Sequence, residues 1–425
     1  MRLRIWAGVV VCMTGLILAA TWLGAQAPQG NSFAQQGRLR DRTLLYVVVP
    51  TKPGNSDTLN GAGILTFDVN DNFRFVKRIP TFDYPAWEDY RVTDEVKGLA
   101  ISTSGKLVMS TLKALTAFDL TTEKKVWSKT YEGGSIDRFA MSPDGKVLYA
   151  PQLGAPRAAG TDGWLVIDVD TGSLIKKVET PKTKGGHNTI WSADGSKVFM
   201  AGVFSHWVTV ADPKTNQVIQ VVGPFGGKDV PMGKTIQDGN IRPYTINGRG
   251  TLVFANVQGL WGFEIGDVAT GKVIQHVDLG AYKPQMLNCE GLPNHGIAMS
   301  PDESELWLTD NITGSLRVFD ATTTPPIQKA IVMMPRHDNT DFAWPCWVTM
   351  GLDGKYVYPS TGDVIDAKTR RVVASLKDEH GNWVRSEKIV EAHWSNGKIV
   401  RVSDQFGRGM VGAQEPARTQ GGGGR

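Results

Sequence analysis

Six chemically capable side chains recur at one offset in this chain. Turns of the kind Ser142-Pro-Asp-Gly-Lys repeat along it, as Ser102-Thr-Ser-Gly-Lys, Ser192-Ala-Asp-Gly-Ser, Asn247-Gly-Arg-Gly-Thr, Ser300-Pro-Asp-Glu-Ser and Gly351-Leu-Asp-Gly-Lys. Eight residues before the fourth position of each turn stand Lys97, Asp137, His187, Arg242, His295 and Cys346. Mostly apolar strands follow these positions. A polar residue held at one register among strands that are otherwise buried predicts a ring of reactive groups around a shared space. Arg242 and Lys97 suit a small anionic ligand such as a carboxylate or sugar acid. His187 and His295 suit a divalent metal or an acid–base pair, with His393, Asp137 or Glu290 as the third metal ligand. The plainer alternative is that all six only solvate a wet channel. In the last unit the same count lands on Ile389, with His393 nearby.

A second turn shows what positions this ring. It reads Asp68-Val-Asn-Asp-Asn, Asp119-Leu-Thr-Thr-Glu, Asp168-Val-Asp-Thr-Gly, Asp212-Pro-Lys-Thr-Asn, Asp267-Val-Ala-Thr-Gly, Asp320-Ala-Thr-Thr-Thr and Asp366-Ala-Lys-Thr-Arg. Successive leading aspartates are 51, 49, 44, 55, 53 and 46 residues apart. Aspartate accepts hydrogen bonds from amides two residues on, and Gly or Asn at the fifth place tolerates positive φ, so each copy closes a hairpin. Two hairpin turns per period give four strands per unit, and seven such units predict an all-β, seven-bladed β-propeller of four-stranded antiparallel blades. The first unit opens on Leu44-Leu-Tyr-Val-Val-Val and lacks an innermost strand. Ile389-Val-Glu-Ala-His-Trp would supply it, closing the ring with strands from both chain ends. Ile399-Val-Arg-Val-Ser would pair in the same blade or begin an eighth; seven is the expectation.

The units Val147-Leu-Tyr-Ala and Leu306-Trp-Leu-Thr-Asp-Asn, with the Ser-Pro-Asp-Gly turns, resemble the YVTN-type repeats of YncE-like seven-bladed propellers over residues 44 to 380. The resemblance implies a fold and an exported setting. It implies no reaction, because such propellers host binders, lactonases, lyases and haem domains.

Arg2 and Arg4 precede the uncharged run Ile5 to Leu23 and then Ala25-Gln26-Ala27, the pattern of a secretory signal or, with Pro28 disfavouring cleavage, a signal-anchor. Residues 1–27 are therefore read as the export segment, 28–43 as a flexible lead-in, 44–411 as the propeller and 412–425 as a disordered Gly-rich tail. A periplasmic or extracellular location follows, with membrane contact only through the N-terminal segment. Loss of Arg2 and Arg4 takes the formal charge from +4 to +2, too little and too scattered for nucleic acid. Of three cysteines, Cys12 lies in the export segment. Cys289 and Cys346 flank neighbouring points of the expected mouth and are expected to form a disulfide in an oxidising compartment.

The long connections Phe225–Gly239 and Arg336–Pro345 would lean over the mouth, bringing His337, Asp338 and Trp344 within reach of a ligand. His206-Trp207 is expected to pack between blades, and His276 and His380 to lie on the surface. Gly407-Arg-Gly-Met-Val-Gly matches a dinucleotide fingerprint but has no βαβ context and is read as the start of the tail. The functional expectation is a small anionic ligand or protein partner bound at the channel mouth. The alternatives are a metal-assisted hydrolase or lyase, possible only with a divalent metal, and a docking partner for a periplasmic oxidoreductase.

Overall fold

The structure is a computed structural model. It describes residues 41–50, 62–82, 95–111, 113–133, 136–153, 163–227, 239–283, 289, 291–337 and 344–411. Residues 1–27, expected to be an export segment, most of the expected lead-in, Glu290, Asp338, much of both long connections and residues 412–425 lie outside the described residues.

Seven antiparallel sheets form a ring, six of four strands and one of five, with no α-helix among the described residues. The protein is a seven-bladed β-propeller. The leading aspartate of all seven long-period turns accepts a backbone N–H two or three residues on, at 2.7–3.0 Å. In six of them the fifth residue has φ between 47° and 69°. Glu123 and Arg370 take this conformation as well as Gly and Asn. The bend is thus dictated by the aspartate and the hairpin, not by glycine alone.

The ring closes through the five-stranded sheet. Strand Ile389–Ser395 pairs with Arg42–Val49, aligning Leu44 with Ala392 and Tyr46 with Val390. Arg42 and Thr43 join this ladder opposite Trp394 and His393, so the first strand starts two residues before the expected boundary. Lys398–Val402 pairs on the other side of Ile389–Ser395 and starts no eighth blade. Apolar side chains from adjacent blades interlock between the sheets. Leu44, Tyr46 and Val48 of the first blade, for example, meet Leu99, Met109 and Phe118 of the second. Each such fully buried side chain stabilises the fold by about 1.5–3 kcal/mol.

The segment after the last strand departs from expectation. Residues 403–411 do not begin a loose tail but cross the far end of the channel and touch the inner strand of every blade. Ser403 N–H donates to Glu391 O, and Asp404 O accepts from Thr349 Oγ1. The Gln405 side chain accepts from Leu99 N–H at 3.1 Å and donates to Phe139 O at 2.9 Å. Gly407 O accepts from Thr245 Oγ1 and Met299 N–H, Arg408 donates to Trp191 O, and Gly409 N–H donates to Ile246 O. Small residues make the passage possible. Gly407 has φ of 61°, and a Cβ there would lie 2.6 Å from Ala298 Cβ. The channel is therefore closed at one end.

Candidate functional site

Each inner strand runs from the face carrying the inter-blade connections toward this closed end. Its first residues therefore ring the opposite end, only two residues from Leu99 and Phe139, where Gln405 is bound. Asp137, His187, Arg242, His295 and Cys346 are all buried, and Lys97 keeps 15% of its side chain exposed. Lys97 pairs with Glu95 at the rim.

Two of the ring residues, Asp137 and His187, join a buried polar chain with residues that the register did not select. His187 Nδ1–H donates to Asp137 Oδ2 at 2.6 Å. Arg138 reaches His187 Nε2 at 3.2 Å, Asp137 Oδ1 at 3.4 Å and Glu387 Oε2 at 2.7 Å. The same Glu387 oxygen accepts from Lys388 Nζ at 3.3 Å. Trp347 lies beneath. Its ring carries the Arg138 guanidinium at 4.7 Å and the Lys388 ammonium at 4.9 Å, both cation–π contacts. Its Nε1–H donates to Gln405 O at 2.7 Å, which ties this aromatic floor to the C-terminal segment. His295 meets the Trp347 ring edgewise and donates Nδ1–H to Cys346 O at 3.1 Å.

The charges are set by this packing. Burial, with the nearby charges of Arg138 and Arg242, outweighs Asp137 and pushes His187 down to about 3, so the imidazole is neutral at physiological pH. Burial opposes the Asp137 carboxylate, but His187, Arg138 and Lys97 outweigh it and hold that carboxyl well below the usual range. Lys388 is wholly buried, and burial, then Arg138, bring it down to about 7 against the pull of Glu387. Four basic side chains, Lys97, Arg138, Arg242 and Lys388, thus lie near three acidic ones, Glu95, Asp137 and Glu387.

Cys289 and Cys346 are joined in a disulfide with Cα atoms 5.4 Å apart. Cys346 is therefore neither a thiol nucleophile nor a metal ligand. The three histidines considered for a metal are not brought together. His393 lies five residues beyond Lys388 on an extended strand, roughly 16 Å away, where its Nδ1 pairs with Thr43 Oγ1. Among the described residues no group of three His, Cys, Asp or Glu side chains is placed to hold a metal.

The remaining sequence candidates resolve individually. His206 is buried and bonds Phe225 O, while His276 pairs with Glu264 at a half-exposed position. His380 is exposed. His337 bonds Asp363 Oδ1 at 2.7 Å and stacks on Trp383, away from the ring. Trp344 packs over Gly314, its ring 2.8 Å from where a Cβ would stand.

Arg138, Trp347, Glu387 and Lys388 were missed for two reasons. The register took one residue per blade, whereas Arg138 and Trp347 stand one residue further along. In the closing unit, which lacks the guiding turn, the count reached Ile389, which is buried in the core beside Leu45 and Val47. The polar run Ser386-Glu387-Lys388 before an apolar strand was the available signal.

No protein-family model and no curated protein sequence matches the chain. Among solved structures 1619 chains match it. One, Kuenenia stuttgartiensis hydrazine synthase, superposes with a TM-score of 0.50 at 15% identity, covering 74% of this chain and 87% of that one. At that identity the likeness shows the propeller fold alone.

Proposed function

We propose that this is an exported propeller that binds a small organic anion, a carboxylate foremost, at the end of its channel opposite the C-terminal segment. The observation that carries this reading is the gathering of Arg138 and Lys388 on the Trp347 ring above Gln405, with Lys97 near enough to act on Lys388 and Arg242 on His187. Guanidinium groups remain charged when buried and offer paired donors to a carboxylate. A buried cluster of this size suits a small ligand better than a protein surface. The Arg2–Ala27 pattern supports export, and the strand-and-turn repeats support a place among YVTN-type, YncE-like propellers.

The test is a thermal-shift panel of mono- and dicarboxylates, sugar acids, phosphate and neutral sugars. Stabilisation confined to carboxylates, and reduced at least tenfold in apparent affinity by Arg242→Gln, supports the reading. Stabilisation by neutral sugars alone, or none by any anion, rejects it. N-terminal sequencing of protein from the fractionated native host checks export.

A further inference from the structure

We propose that Lys388 captures its ligand covalently: the bound carboxylate also carries an aldehyde or ketone, which is held as an imine on Lys388 Nζ. This inference rests on the anion-binding reading of the same site.

Lys388 is completely buried, and among the described residues its Nζ has a single hydrogen-bond partner, Glu387 Oε2 at 3.3 Å. That oxygen is held more closely by Arg138, at 2.7 Å. Two cations thus share one carboxylate oxygen while facing the same Trp347 ring. A guanidinium does not give up its proton, so the amine is the group that does. The charged neighbours are Arg138 and Lys97, which favour the free amine, and Glu387 and Asp137, which oppose it; burial exceeds them all and leaves Lys388 near 7. Lys77 is also lowered by burial, but its ammonium pairs with Glu123 at a partly exposed site between blades. A desolvated lysine beside a second cation is the arrangement that makes an amine nucleophilic at neutral pH.

The chemistry balances without a co-reactant. The Nζ lone pair forms a bond to the carbonyl carbon as the carbonyl π pair moves to oxygen. Glu387 is placed to pass a proton from nitrogen to that oxygen. Loss of the second N–H hydrogen with the hydroxyl releases one water and leaves C=N. The two amine hydrogens and the carbonyl oxygen account for that water, and nothing is oxidised or reduced. The ligand's carboxylate takes the neighbouring guanidinium charge.

The experiment uses the whole protein with glyoxylate as probe and cyanoborohydride as trap, read by peptide mass spectrometry. At neutral pH an ordinary lysine is free amine in only about one molecule in three thousand. Lys388 is therefore expected to be alkylated about a hundredfold or more faster than surface lysines, with a half-maximal rate near pH 7 and protection by acetate. Unmodified Lys388 alongside alkylated surface lysines overturns the inference. If acetate then still stabilises the protein, the imine fails alone and the anion site stands. If acetate has no effect either, both readings fail together. The Lys388→Met variant, compared at its own folded fraction, must lose the fast adduct; retention of it elsewhere would also overturn the assignment.

Discussion

Replacing Lys388 by methionine should make the protein more stable at neutral pH, although it removes a charged group from an ion-pair network. Lys388 falls from an ordinary 10.5 to about 7 in the fold. Between those values the unfolded chain binds a proton that the folded chain does not, so stability rises with pH across the interval by about 1.4 kcal/mol per pH unit. At pH 7 nearly the whole cost is present, on the order of 4 kcal/mol. Methionine keeps the aliphatic contact with Trp347, and Glu387 keeps Arg138 at 2.7 Å. Part of the gain is lost to imperfect packing, leaving an expected stabilisation of roughly 2–4 kcal/mol at pH 7. Equilibrium urea unfolding of both proteins, with the disulfide intact, measures the difference between pH 6 and 10. It should be largest at and below pH 7 and shrink toward zero near pH 10. A variant less stable than wild type at pH 7, or a difference that does not change with pH, would mean that Lys388 is not held near neutrality by burial.

Three further outcomes follow from the same contacts. Gln405→Ala removes the partners of Leu99 N–H and Phe139 O, both buried, and should cost about 2–4 kcal/mol in urea unfolding; a loss below 0.5 kcal/mol would mean that the C-terminal segment does not hold the ring. Opening the Cys289–Cys346 disulfide, whose cysteines are 57 residues apart, should cost about 4 kcal/mol by freeing the unfolded chain, read as a lower unfolding midpoint in Cys289→Ser/Cys346→Ser. His187 is held at about 3 in the fold against 6.5 when unfolded, so its contribution is present above pH 6.5 and is lost as pH falls toward 3. His187→Gln should therefore flatten the acid limb of the stability curve by about 1.4 kcal/mol per pH unit between pH 6 and 4. An unchanged limb would show that this imidazole is not kept neutral.

The propeller was legible because its determinants are local. Seven aspartate turns and their partner turns specify hairpins through bonds spanning two or three residues, and the same bonds occur in the structure. Ring closure was legible because one unit lacked an inner strand and Ile389–Ser395 lacked a unit. The register also placed His187 and Asp137 in one neighbourhood, where they bond directly. It did not reach Glu387 and Lys388, because the closing blade is assembled from both chain ends and carries no turn to count from. Nor did it reveal the C-terminal segment, whose bonds run mainly to backbone groups of seven different blades. Gly407 and Gly409 signalled close approach, but composition alone reads as a loose tail. His393 looked near the ring in sequence and is separated from it by the length of a strand.

A carboxylate bound among the buried basic side chains above Trp347 is what the proposed function requires. The decisive measurement is a crystal structure of the whole protein soaked with the carboxylate that stabilises it most. Density for the carboxyl group within hydrogen-bonding distance of Arg138 or Arg242, with its remaining atoms directed at Lys388, is the predicted result. A ligand bound only outside the ring, or a fully occupied crystal with the Arg138–Glu387–Lys388 cluster untouched, would contradict the account.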